Sequence, residues 1–226
     1  DPEVKLQQYP HQLSGGQKQR IVIAMALACK PDILIADEPT TALDVTIQAQ
    51  ILALLKKIQQ THQMSLLLIT HDLGVVKAMA DKVCVMYAGQ VVEYTSVTHF
   101  FSDVGHPYVQ QLLASLPSLN KREEQLSVIQ GNVPTLDALP TGCRFHPRCL
   151  YAFSRCSVEE PQLQEVKNRL IRCHLYPELS TLPPLVKNRV AWAATEQPEE
   201  PLFTVSDLSV YFVQKKGFLG YNKKWF

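Results

Sequence analysis

The sequence predicts an α/β fold with a parallel sheet, continued by a small irregular cysteine-rich region, on three observations. Two short apolar runs, Ile33 to Ala36 and Ser65 to Thr70, have the length and composition of buried strands. Between them, Thr46 to His62 places Ile47, Ile51, Leu54, Leu55 and Ile58 on one helical face. Strand, helix and strand in that order need a crossover connection, and hence parallel pairing. Past residue 120 the periodicity fades, and residues 121–180 are rich in Pro, Cys and Arg.

The elements follow in order. Gln17 to Cys29 carries Ile21, Ala24, Met25 and Ala28 at helical spacing, and Lys30-Pro31-Asp32 ends it. The Ile33 to Ala36 strand is expected to be buried on both faces, and Ser65 to Thr70 to be a second buried strand. Leu73 to Ala80 reads as a short helix. Val83 to Tyr87 and Val91 to Tyr94 flank Ala88-Gly89-Gln90 in a hairpin pattern. Two further short helices fall within 95–120, the second from Pro107 to Leu116. Residues 181–201, with Pro183-Pro184 and the run Glu196 to Pro201, have the composition of a linker. From Phe203 to Val213 a new alternating strand pattern begins.

Bulk chemistry narrows the function. The 226 residues are 46% hydrophobic and 19% charged, a globular balance. A net charge of +1 gives no hint of a surface for nucleic acid. No apolar run approaches the ~18 residues of a membrane-spanning helix, so the chain is not expected to cross a bilayer itself. No signal peptide opens it. Asp1-Pro2-Glu3 is not an initiator sequence, and the chain is expected to be a fragment. Of six cysteines, Cys29 and Cys84 lie in apolar periodic segments and read as small buried hydrophobes. The other four, Cys143, Cys149, Cys156 and Cys173, fall within 31 residues.

Several short motifs carry chemistry. Leu13-Ser14-Gly15-Gly16-Gln17 opens the first long helix, with Ser14 as its cap and Gln17 at capping-box spacing. Its glycines admit close backbone approach, and a helix N-terminus offers N–H groups to an anion. The same residues also suit a capped helix and nothing more. Asp37-Glu38 ends an apolar strand, where ligands of open α/β sheets bind. There an Asp can hold Mg²⁺ through water and a Glu can polarise an attacking water, although paired acids also occur in solvated turns. Asp44, after Thr41-Ala42-Leu43, has the place of an N-cap. His71 ends the second strand, where it is structural or reaches a phosphate.

Taken in this order and spacing, residues 1 to about 94 resemble the second half of an ATP-binding-cassette (ABC) ATPase, a P-loop NTPase of α/β class. The resemblance implies that residues 13–17 are the signature motif, with Ser14, Gly15, Gly16 and Gln17 facing nucleotide. It implies that Asp37 is the Walker B aspartate, Glu38 the catalytic glutamate, residues 41–44 the D-loop with Asp44, and His71 the switch histidine. ATP and Mg²⁺ are the implied cofactors. In that family two ATPase domains sandwich two ATP molecules, so a second such domain is an implied partner. No G-x-x-x-x-G-K-[ST] stands anywhere in the chain. The core is therefore partial, lacking the Walker A half, and the chain alone is expected not to hydrolyse ATP.

Four further features narrow the family: Tyr9-Pro10-His11-Gln12, the extended segment Asp37 to Gln50, His106-Pro107-Tyr108 opening a helix, and Gly142-Cys143-Arg144-Phe145-His146-Pro147-Arg148-Cys149. Together they resemble the ATPase subunits of dipeptide, oligopeptide and nickel importers, to about residue 177. That resemblance implies transmembrane permease subunits as partners, a substrate-binding protein indirectly, and a location on the cytoplasmic face of the bacterial inner membrane. The spacing C-x5-C-x6-C-x16-C is looser than zinc sites usually show, and disulfides do not suit a cytosolic ATPase. Four thiolates gathered by an irregular loop can hold a [4Fe–4S] cluster, which the resemblance supports. Zinc is the second reading and metal-free thiols the third. A segment with little core of its own would draw folding energy from the metal. Arg144, Arg148, Arg155 and Arg172 either offset thiolate charge or are surface residues.

The expected organisation is the ATPase half over 1–94, a helical extension over 95–120, the four-cysteine region over 121–180, a linker over 181–201, and the start of a second ATPase domain over 202–226. In that last segment Phe212 is the candidate aromatic for stacking on adenine, by position. Two other functional classes compete: a soluble ABC ATPase of DNA repair or translation, and a metal-binding interaction module. The His106-Pro107-Tyr108 helix and the cysteine region favour the transporter, with peptide ahead of nickel as cargo.

Overall fold

A computed structural model describes residues 2–116, 128–179, 181–185, 203–209, 212–216 and 220–224. The chain divides into two units, Asp1–Val186 and Lys187–Phe226.

The first unit begins with α1 (Pro2–Leu6), a turn of 3₁₀ helix at Pro10–Gln12, and α2 (Gly15–Leu27). Ser14 starts α2 through a capping box: its Oγ accepts the Gln17 amide at 3.3 Å, and Gln17 Oε1 accepts the Ser14 amide at 3.1 Å. Then come β1 (Ile33–Asp37), α3 (Val45–His62) and β2 (Ser65–Ile69). Asp44 caps α3 by accepting the Ile47 amide at 2.9 Å, and Gln63 ends that helix in the left-handed region. β1 and β2 pair in parallel, from Ile33 beside Ser65 to Asp37 beside Ile69, as the crossover predicts. Ile51 and Leu55 of α3 are fully buried against Ile23, Leu34 and Met64. At about 25 cal/mol per Å² of apolar surface, this seam is what holds α3 on the sheet.

The expectation that β1 is buried on both faces is corrected. Ile33 and Ile35 are 60% and 62% exposed, and on β2 Leu67 and Ile69 are 52% and 47% exposed. The sheet here has two strands, and helices cover only the face that carries Leu34 and Leu66. Nothing among the described residues covers the opposite face. Cys29 and Cys84 are likewise exposed rather than buried. Cys29 lies just past α2, and Cys84 falls on the outward side of an alternating strand.

Next come α4 (Leu73–Met79), β3 (Lys82–Tyr87), β4 (Gln90–Ser96), α5 (Val97–Ser102) and α6 (Pro107–Ala114). The cysteine-bearing segment adds a 3₁₀ turn at His146–Arg148, then α7 (Ser154–Val158), β5 (Leu163–Val166) and β6 (Arg169–Arg172). It is less irregular than its sequence suggests. β5 and β6 form a hairpin, and β6 pairs antiparallel with β4 to give a sheet ordered β3-β4-β6-β5. Nor does this segment lack a core. Phe145 is fully buried with Tyr87, Val109, Phe100 and Val92, all from preceding elements. Its ring meets Tyr87 edge-on at 5.1 Å and Tyr108 at 5.4 Å.

In the second unit, residues 203–209 are without regular structure, where a strand was expected. β7 (Phe212–Lys216) and β8 (Gly220–Lys224) pair there as an antiparallel hairpin. A single strand with no sheet to join has nothing to stabilise it, whereas a hairpin supplies its own partner. The expected role of the Phe212 ring, and residues 186–202 of the expected linker and tail, lie outside the described residues.

Candidate functional site

The parallel register carries β1 and β2 to one edge, where the chain turns sharply. Glu38 follows Asp37 with φ 47°, in the left-handed region, and its amide donates to the Ile69 carbonyl at 2.9 Å. A bulky L-residue held there is strained, and such strain concentrates at working sites. Asp37 stands exposed at the strand end. Two residues past β2, His71 brings its Nδ1 to 2.6 Å from Glu38 Oε1. Thr41 Oγ1 donates to the other carboxylate oxygen at 2.9 Å. Both Glu38 oxygens are therefore engaged.

The electrostatics follow from that geometry. The His71 hydrogen bond, and after it the Thr41 hydroxyl, hold the Glu38 carboxyl below its ordinary value. Reciprocally, Glu38 holds His71 above the ordinary imidazole value. The side chains are 36% and 85% exposed, so solvent screens the pair and it contributes little stability. Its meaning is positional: a carboxylate and an imidazole are aimed at one another where a strand end opens to solvent.

Of the sequence-predicted residues, Glu38 and His71 meet directly, and Asp37 shares their edge. Ser14, Gly15, Gly16 and Gln17 do not join them through side chains. Ser14 and Gln17 hydrogen-bond to each other, and the glycines back onto Leu43 and Ile47. A Cβ on Gly16 would stand 2.6 Å from the Ile47 side chain, so the helix starts of α2 and α3 pack at a distance only glycine allows. Asp44 is an N-cap, its blander reading. The Thr41–Glu38 bond was not foreseen. Its only signal was the turn spacing, made visible by the Thr41 amide donating to the Glu38 carbonyl at 3.1 Å.

A second candidate site lies around the four cysteines. Cys143, Cys149, Cys156 and Cys173 line one small cavity together with His106, His146 and His174. None forms a disulfide. Gly142, at φ 70°, brings the Cys143 amide to the Cys156 carbonyl at 2.8 Å, and a Cβ there would lie 2.5 Å from that carbonyl oxygen. Backbone amides point at sulfur: Tyr151 N–H donates to Cys149 Sγ at 3.4 Å, Phe145 and His146 amides act on Cys143, and the Leu175 amide acts on Cys173. Burial pushes Cys149 up to about 11 and Cys173 up to about 12, and repulsion among the sulfurs adds to both. Without a cation these groups stay thiols; a bound cation would reverse that balance and release protons. Among the described residues no group of three or more His, Cys, Asp or Glu side chains is arranged to hold a metal ion.

Three of the four arginines serve backbone carbonyls, while Arg155, paired with Glu159, also interacts electrostatically with Cys156. Arg144 donates to the Ala88 carbonyl, and Arg148 to the carbonyls of Ile129, Gln130 and Gly131. Arg155 pairs with Glu159, and Arg172 donates to the Val91 and Pro161 carbonyls. Arg144 and Arg172 thus tie the cysteine segment to the hairpin of β3 and β4, Arg148 holds the 129–131 loop, and Arg155 stays beside α7. Unforeseen as well is buried Glu93, whose oxygens accept the amides of Gly105 and His106 at 3.1 and 2.7 Å.

Parts of this chain are similar to known proteins. The family described as oligopeptide/dipeptide transporter, C-terminal region, matches residues 92–156, and the ABC transporter family matches residues 1–41. The oligopeptide transport ATP-binding protein AppD of Bacillus subtilis is 54% identical over 174 residues, covering 76% of this chain and 53% of that protein. The dipeptide transport ATP-binding protein DppD of Haemophilus influenzae is 53% identical over 174 residues, 77% of this chain and 53% of its own length. DppD of Escherichia coli is 53% identical over 178 residues, 78% and 54% respectively. The chain thus spans about half the length of the curated relatives it matches. A solved dimer of the ATP-binding cassette MJ0796, bound to ADP and Pi, matches with TM-score 0.36 and 39% identity over 39% of this chain and 38% of that one.

Proposed function

We propose that the chain is part of an ATP-binding protein of the oligopeptide and dipeptide ABC transporter kind, and that the whole protein is a transport ATPase powering peptide uptake. One observation carries the reading: the Glu38–His71 pair at the paired ends of β1 and β2. Glu38 is placed to polarise water, with His71 and Thr41 fixing its carboxylate. Asp37, exposed beside it, would hold Mg²⁺ through water, and the α2 N-terminus at Ser14 to Gln17 would face phosphate. ATP with Mg²⁺ supplies the phosphoryl chemistry when bound. Asp44 acts through the cap it gives α3.

The partners in this reading are transmembrane permease subunits and a second ATPase domain, with a substrate-binding protein acting at one remove. The site of action is the cytoplasmic face of the bacterial inner membrane. No helix among the described residues is long and apolar enough to cross a membrane. Residues 1–94 serve as the ATPase half, 95–120 as its helical extension and 121–180 as a thiol centre. Residues 181–201 serve as a linker, and 202–226 open a second ATPase domain.

We further propose that Cys143, Cys149, Cys156 and Cys173 hold a [4Fe–4S] cluster, with zinc as the alternative. What supports this reading is that the four cysteines line one cavity, with backbone N–H groups beside three of them. Two experiments test these readings. Glu38→Gln in the whole protein, assembled with its permease, should keep ATP binding and lose turnover; undiminished turnover would overturn the catalytic assignment. Iron, acid-labile sulfide and zinc should be counted on anaerobically purified protein: about four irons and four sulfides support the cluster, and one zinc the alternative.

A further inference from the structure

The hairpin of β5 and β6 is fastened well at its base and poorly at its tip. At the base, Arg172 Nε donates to the Val91 carbonyl at 2.9 Å and its Nη1 to the Pro161 carbonyl at 3.2 Å. Gln164 Nε2 donates to the Cys173 and Tyr176 carbonyls, both at 3.0 Å. At the tip, the turn residues Lys167 and Asn168 are exposed, whereas Arg169 is buried. Its Nη1 donates to the Asp103 carbonyl, in the loop between α5 and α6. Its Nη2 stands 3.2 Å from Asp103 Oδ2 without making a hydrogen bond, and its Nε has no hydrogen-bond partner among the described residues. Glu93 pairs with Ile171 and Tyr94 with Leu170, so the next step of that register sets Thr95 opposite Arg169. Thr95 is 2% exposed, and its hydroxyl is likewise without a partner among the described residues.

The tip is thus closed against its own electrostatics. A buried guanidinium gives up its water, and each donor left unpaired carries that loss uncompensated. Asp103 returns little of it, because its side chain is 42% exposed and water screens its charge. Lifting the tip would hydrate Arg169 Nε and Thr95 Oγ1 together and leave the hydrogen bonds of the base in place. The loop beneath stays seated without Arg169: Glu93 accepts the Gly105 and His106 amides at 3.1 and 2.7 Å, and the Tyr176 hydroxyl donates to the Gly105 carbonyl at 2.7 Å. We propose that this hairpin is a flap, hinged at Gln164 and Arg172 and latched at Arg169, poised to lift its turn from Thr95 and Asp103 while the rest of the first unit stays folded. Such sub-global openings lie below complete unfolding in free energy. The motion leaves Cys173 at the hinge, so it is the same whatever the cysteine cavity holds.

A thiol placed under the tip reads the opening. Thr95→Cys keeps the side-chain size and puts that thiol opposite Arg169. Timed alkylation of the full chain, mapped by peptide mass, separates it from the six natural cysteines. It should label through the open flap, at a rate that dilute denaturant leaves unchanged. Asp103→Ala in the same background strips the guanidinium of its counter-charge and should speed labelling at least about tenfold. Arg169→Met removes the buried charge, leaves Asp103 to water, and should label no faster than the parent. Val109→Ala, in the buried core on α6, should melt earlier yet label at the parent rate. Faster labelling in Arg169→Met overturns the proposal, because the arginine would then be a net tie. Labelling of the parent that climbs with denaturant as steeply as complete unfolding overturns it as well, and needs no second variant to fold. Equal acceleration by Val109→Ala and Asp103→Ala also overturns it, by reducing the latch to general stability.

Discussion

His71 Nδ1 stands 2.6 Å from Glu38 Oε1, although 33 residues separate them, because the parallel register of β1 and β2 ends both strands at one edge. The pair makes a pH-dependent contact whose sign can be stated. Glu38 is held low, so its share of the contact is complete above its unfolded value and is lost as pH falls through the lowered one. His71 is held high, so its share is complete below 6.5 and is lost as pH rises through the raised value. In an NMR titration His71 should titrate above 6.5, and Glu38→Gln should return it toward 6.5.

The cap of α2 is open to a direct measurement. Ser14→Ala removes the acceptor for the Gln17 amide and should cost about 1 kcal/mol in denaturant unfolding. A loss near zero would mean that solvent replaces the cap without penalty.

How much of this was legible in the sequence depends on range. Ser14 and Gln17, Asp44, and the strand ends at Asp37 and Ile69, expected one residue away at Ala36 and Thr70, were readable because capping and strand termination are local. The β5–β6 hairpin was missed although Lys167 and Asn168 both take positive φ, a turn that Asn favours. Its strands have four residues each and mix charge with apolar side chains, which hides alternation. The exposed faces of β1 and β2 were misread because an apolar run records what a strand can pack against, not what covers it in this chain. Nothing near Glu93 in the sequence announces that it binds the Gly105 and His106 amides.

Phe145 links the cysteine segment to the hairpin of β3 and β4. Phe145→Ala should destabilise the first unit by about 3–5 kcal/mol. Circular dichroism and thiol exposure should then report one shared transition. Two separate transitions would show that the segment folds on its own.

Thiol chemistry gives a third reading of the same structure. Of the six cysteines, Cys29 and Cys84 should alkylate first, being exposed. Burial holds the Cys149 and Cys173 thiols protonated near neutral pH, and they should lag by at least tenfold. Peptide mapping after timed alkylation decides the order, and early labelling of Cys173 would contradict its burial.

The antiparallel joining of β4 to β6 also sets a timetable for biosynthesis. Arg172 donates to the Val91 carbonyl across 81 residues of chain. At about 5–20 residues per second, the ribosome needs roughly 4–16 s to supply the second partner after the first. Through that interval β4 emerges with one edge unpaired, and the fourth thiol of the cavity does not yet exist. The cavity that the four cysteines line would thus be completed only late in this unit's synthesis, once β6 has emerged.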